Sequence, residues 1–125
     1  MHAFDYAVVR VVPRVERGEF VNAGVILFSR TAGFLDARIS LDAARLGALA
    51  PSIDCEVVQS YLDAIPLICA GGAEGGPIGL LSQSERFHWL VAPRSTIIQT
   101  SPVHSGVHDD LPAALTHLFE KLVRC

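Results

Sequence analysis

Phe4 to Phe28 reads FDYAVVRVVPRVERGEFVNAGVILF, two β-rich apolar runs around one short charged insert. Aromatic and β-branched residues dominate Phe4 to Val12, and their restricted χ1 angles suit a pleated strand. Alternation puts Phe4, Tyr6, Val8, Arg10 and Val12 on one face and Asp5, Ala7, Val9 and Val11 on the other. The run from Phe20 to Phe28 behaves alike. Strands apolar on both faces belong in a sheet covered on both sides, or covered by helices on one side and by a partner on the other. Between them, Pro13 to Glu19 holds two charges of each sign, a proline that cannot join a ladder and a glycine suited to a turn. The stretch therefore predicts an antiparallel hairpin. Arg10, Arg14 and Arg17 form a candidate anion cluster, but Glu16 and Glu19 offset two of the charges and favour a solvated, self-paired tip. Asn22 and Gly24 interrupt the second strand, where a bulge is expected in preference to a ligand approach.

Working outward, Gly33 to Ser40 predicts a third strand with one charged face, an edge of the meander. Asp42 caps a short helix over Ala43 to Ala50, stopped by Pro51. A longer helix starts at Ser52 or Asp54 and carries Val57, Val58, Tyr61, Leu62, Ile65 and Cys69 on one stripe, kinking or ending at Pro66. Ala70 to Gly79 is Gly-rich but follows a helix and lacks both G-x-G-x-x-G and a G-K-[ST] tail, so a mobile connector is expected and no phosphate loop. Ser84 to Val91 and Ser95 to Val103 predict two further strands, with Trp89 as a core anchor. A loop from His104 to Asp110 leads to a last helix capped by Asp109 or Asp110, with Leu111, Leu115, Leu118 and Leu122 at helical spacing. The fold class is α+β: a single domain, residues 1–125, with a mainly antiparallel sheet of about five strands and two larger helices packed on one face.

Length and composition narrow the function. The 125 residues suffice for one self-supporting core, half of them apolar, with a mean hydropathy of +0.39. A formal charge of -3 gives no positive field for nucleic-acid backbones or anionic membranes. No basic leader precedes an apolar segment and no run approaches a membrane span, so a cytoplasmic location is expected. Nine of the ten basic residues are Arg, which GC-rich coding explains as well as recognition does. Cys55, Cys69 and Cys125 are scattered and odd in number, which predicts free thiols and neither a disulfide framework nor a zinc knuckle.

Chemistry-bearing residues concentrate between Arg94 and Asp110. Arg94, Ser95, Thr96 and Gln99, with His104 and the start of the last helix, are the candidate binders of a small anion, phosphate or nucleotide, and Arg10 and Asn22 could join them from the hairpin. The competing reading gives the hydroxyls to turns and caps, and it is favoured. His104, His108 and Asp109 lack metal-ligand spacing, no cofactor fingerprint occurs, and no nucleophile elbow or defined catalytic pair supports an enzyme.

Tyr6 to Phe28, with its E-x-x-N-x-G-V segment from Glu19 to Val25, and Arg86 to Gly106, with S-x-x-x-x-x-S-P-V-H over Ser95 to His104, resemble the bacterial family called domain of unknown function 3037. The resemblance covers nearly the whole chain. It implies a small cytoplasmic domain without an assigned activity, and partnership with a co-encoded kinase of the HipA type. Together these favour a non-enzymatic interaction or accessory module, with a protein partner or a second copy of the chain covering an apolar sheet face or edge. A small anionic-ligand binder or enzyme built on Arg94 to Asp110 is the alternative.

Overall fold

The computed structural model describes residues 1–124; Cys125, expected as a free thiol, lies outside them. Strands β1 (His2–Val11) and β2 (Val21–Ser29) form the expected hairpin, and β3 (Phe34–Ile39) extends it at the edge. The register between β1 and β2 shifts beside Val9 and Arg10, where Arg10 pairs with Asn22 and Val9 with Gly24, leaving Ala23 as the extra residue of a bulge. That bulge flips the parity of β2: Val21 and Ala23 before it share a core with Ile26 and Phe28 after it. A Cβ on Gly24 would come within 2.7 Å of the Arg38 carbonyl, so glycine there admits β3.

Helices follow: α1 (Ala43–Leu49), capped by Asp42, and α2 (Cys55–Ala70), capped by Asp54 through the amides of Glu56 and Val57. Pro66 does not end α2; the helix runs four residues further. The Gly-rich connector is folded, as a 3-10 turn (Ala73–Gly75) and a one-turn helix α3 (Gly76–Gly79), closed by a bond from the Gly72 amide to the Gly79 carbonyl.

Three expectations change between Ser82 and His108. Ser84 to Val91 is no strand but lies in helix α4 (Gln83–Val91), opened by a capping box in which Ser82 and Glu85 exchange bonds with each other's backbone amides. Its buried residues are Phe87 and Leu90, three apart, and Phe87 stacks on Phe28 at 4.8 Å between centroids. The strand expected over Ser95 to Val103 contracts to β4 (Ile98–Thr100), and the expected loop at His104 becomes β5 (His104–His108). Pro102 explains the break, since it cannot donate to a ladder. Strands β4 and β5 lie end to end along β1, giving a five-stranded sheet ordered β3-β2-β1-β4 with β5 also paired to β1, antiparallel throughout.

Buried Ser101 bridges the break: its amide donates to the Val8 carbonyl and its Oγ accepts from the Val8 amide, both at 2.9 Å. Without that hydroxyl a buried N–H would lack an acceptor. Further along, the Phe4 ring covers Gly106, its cross-strand partner, where a Cβ would approach to 2.7 Å.

Helix α5 (Leu111–Phe119), capped by Asp110, continues as a wider turn to Arg124. The α+β class and the antiparallel sheet are as expected, and α2 and α4 do share one sheet face with Leu46 of α1. The last helix, expected beside α2, covers the opposite face, packing Leu111, Leu115 and Phe119 on Phe4, Val25 and Leu27. Helix α5 thus covers the face that a partner was expected to cover.

Candidate functional site

A concavity of roughly 540 Å³ opens between α2, the end of α4 and β4. Helix α2 contributes Tyr61, Ala64, Ile65 and Ile68, the 3–4 spacing of one helical face. The end of α4 contributes Trp89 and Leu90. Pro93 holds Ala92 extended, which ends α4 and turns the chain back across its own last turn. Arg94 is thereby laid on Trp89, its guanidinium 4.6 Å from the ring centroid and donating to the Trp89 carbonyl, which also accepts from the Ala92 amide. Thr96, Ile97, Ile98, Gln99 and Thr100 close the third side. A cleft of this volume, apolar with a few polar groups at its rim, has the size and character of binding pockets in general.

Tyr61 and Trp89 are 53% and 39% exposed, high for large aromatics that the sequence placed in the core, and both line this cleft. Trp89 is therefore a wall of an open site, not a core anchor.

The polar candidates are divided. Arg94, Thr96 and Gln99 do meet at the cleft, but they bond mainly to the turn itself: the Thr96 hydroxyl donates to the Ile98 carbonyl at 2.8 Å and Gln99 Nε2 to the Thr96 carbonyl at 2.9 Å. Ser95 is exposed beside them. Arg10 lies in register with Asn22 on β2 and Gln99 on β4, its guanidinium 4.2 Å from the Phe20 centroid. Asn22 Nδ2 donates to the Leu122 carbonyl at 3.1 Å, tying the bulge to the end of the last helix; Arg10 Nε and Asn22 Oδ1 are buried without partners among the described residues. At the hairpin tip Arg17 pairs with Glu19 at 2.6 Å, as the self-paired reading expects.

His104 pairs across the sheet with Tyr6, ring centroids 5.4 Å apart. His108 Nδ1 accepts from the Asp110 amide, and the Asp110 carboxylate accepts from the Ala113 amide. Because His108 stands opposite His2 and Ile98 opposite Val11, nine residues of β1, or about 30 Å, separate the start of α5 from the cleft. One pocket cannot enclose both.

The Cys69 thiol is poorly suited to act as a nucleophile. Burial, assisted by Asp36 and opposed by Arg86, pushes the Cys69 thiol up to about 12, so it stays protonated and inert at neutral pH. Among the described residues no group of three or more His, Cys, Asp or Glu side chains is placed to hold a metal ion, and no helix is long and apolar enough to cross a membrane.

Fold and cleft together define an α+β domain with a helix-walled apolar groove at one sheet margin. The chain belongs to the family described as "Protein of unknown function (DUF3037)", whose model matches residues 6–123. No curated protein and no solved structure matches it. The segments that carry the family resemblance have structural work in this fold: Asn22 holds the last helix, Gly24 admits β3, and Ser101 with Pro102 splits the fourth position of the sheet into β4 and β5.

Proposed function

We propose that this domain is a non-catalytic binding module that captures an apolar group of a protein partner in the cleft between α2, α4 and β4. The observation that carries this reading is the pairing of Tyr61 and Trp89, exposed yet walling one apolar concavity. Aromatic side chains that present an apolar body and a polar tip are the residues that anchor protein interfaces. Two further features support binding over catalysis: the polar groups at the rim serve the turn, and the buried thiol is held protonated.

Trp89 is the sole tryptophan, so its fluorescence reports directly on the cleft. A displayed library of random dodecapeptides selected on the wild-type protein should yield binders that change Trp89 emission. Ala64→Phe, at an exposed helix position that lines the cleft, should weaken them at least tenfold without unfolding the domain. The HipA-type kinase that the family resemblance implies is the first protein to offer; its retention should be lost in the same variant. Binders that leave Trp89 emission unchanged and survive Ala64→Phe would overturn the assignment of the cleft.

A further inference from the structure

The cleft meets the sheet at an edge, and that edge has free backbone groups. Ser101 donates to Val8 and Val12 donates to the Ile97 carbonyl, so the odd-numbered residues from Ile97 to Ser101 bond inward to β1. By the alternation of an antiparallel ladder, Ile98 and Thr100 turn their N–H and C=O groups outward. The Ile98 carbonyl accepts from the Thr96 hydroxyl, which leaves the amides of Ile98 and Thr100 and the Thr100 carbonyl facing away from the sheet. Successive side chains of a strand point to opposite faces, yet Ile98, Gln99 and Thr100 all line the cleft. The concavity therefore extends along the strand's margin as well as over its face.

The chemistry of an occupant follows from these two surfaces together. Outward amides and a carbonyl at strand spacing are matched by another extended backbone, while the apolar wall of Tyr61, Ile65 and Trp89 accepts one bulky side chain projecting from it. Among the described residues Arg94 is the one charged side chain lining the cleft, and none of them brings a carboxylate there. Only one of its five N–H donors has a partner among the described residues, the bond to the Trp89 carbonyl. Pro102 limits the usable edge to about one turn of pleat on either side of Gln99, so the added segment is short.

We infer that the occupant is an extended peptide that adds as a strand to the outer edge of β4, seats an aromatic or branched apolar side chain between Tyr61 and Trp89, and sets a neighbouring carboxylate against Arg94. This rests on the binding role proposed for the cleft.

The test uses capped octapeptides of alternating Thr and Val with a central Phe-Asp or Asp-Phe pair, titrated into the 15N-labelled full chain. Trp89 emission and the Ile98 and Thr100 amide resonances are read together. The expected result is a change in Trp89 emission, with Ile98 and Thr100 amides shifting and gaining at least tenfold protection from exchange. N-methylation of the peptide's Phe should weaken binding at least tenfold, because it removes a ladder hydrogen bond and keeps the side chain. Replacing the peptide's Asp with Asn should weaken binding of the wild type severalfold but not that of Arg94→Gln, the signature of a charge pair. Binding lost in Ala64→Phe but indifferent to N-methylation would overturn strand addition while leaving the cleft's binding role standing. N-acetylphenylalanine amide binding as well as the octapeptides would do the same. Concentration-dependent shifts of Ile98 and Thr100 without peptide would show a second copy of the chain on that edge and overturn the peptide assignment. No response from any of these probes, against library binders that do use the cleft, would also overturn it.

Discussion

The sheet ends in two edges that treat their outward backbone groups differently. Along β3, the Ser40 amide bonds inward to Ala23, so Ala37 faces outward; its amide is taken by the carboxylate of Asp36, its own neighbour. Arg38 on the same strand is tied to Thr116 and lies over Phe119 of the last helix. Asp36 and Arg38 also put charge along the margin, a common protection against strand pairing. Along β4 the neighbouring side chains Thr96 and Gln99 satisfy carbonyls, and among the described residues no side chain covers the outward amides of Ile98 and Thr100. One edge has its central outward amide capped by its own sequence. The other is short, interrupted by Pro102, and open beside an apolar cleft, which is how a sheet can offer a strand-shaped site without inviting indiscriminate pairing.

The strongest test of how firmly the two flanks are held is at two glycines, Gly24 on β2 behind the β3 edge and Gly106 on β5. Gly24→Ala should cost about 2–4 kcal/mol, because its Cβ meets the Arg38 carbonyl at 2.7 Å and Ile39 Cδ1 at 2.5 Å, and a backbone atom cannot rotate away. In Gly106→Ala the nearest atoms belong to the Phe4 ring, a side chain that can shift, and the change should cost ~1 kcal/mol. Urea unfolding of the pair measures both, and equal costs would show that β3 is not held more rigidly than β5.

Ser101→Ala should come next, at about 1–3 kcal/mol for a buried Val8 amide left without its acceptor. Hydrogen exchange should show the loss at Val8 and along β4 and β5 while the β2–β3 pairing keeps its protection. Uniform loss across the sheet would mean that the two edges do not open independently.

The smallest effect on stability belongs to Asp36→Ala, since the residue is exposed, but it should uncover the Ala37 amide. Light scattering over a concentration series should then show association that the wild-type protein lacks at the same concentration. An unchanged profile would indicate that something other than Asp36 guards β3.

Much of the frame was legible locally. The hairpin, its bulge at Asn22 and Gly24, the edge character of β3 and the caps at Asp42, Asp54 and Asp110 all follow from residues acting on their immediate neighbours. Helix α4 was misread because Phe87, Trp89 and Val91 alternate like a strand, whereas burial falls on Phe87 and Leu90. The capping pair Ser82 and Glu85 stood in the sequence as the signal for a helix start. The cleft was missed for a related reason. Tyr61 and Trp89 look like core residues to any reading based on hydrophobicity, and only the placement of α2 against α4 leaves them half outside.

By itself the sequence determined the α+β class, the hairpin at the centre of the sheet and where most helices begin, because caps, glycines, prolines and long apolar alternations act within a few residues. Tertiary structure alone decided that α5 covers the face opposite α2, that β4 and β5 share one flank of β1, and that Arg94 belongs to a cleft about 30 Å from the start of the last helix. Those outcomes depend on which apolar surfaces meet across long sequence separations, and the hydrophobic effect that drives such meetings is non-directional, so no local pattern encodes them.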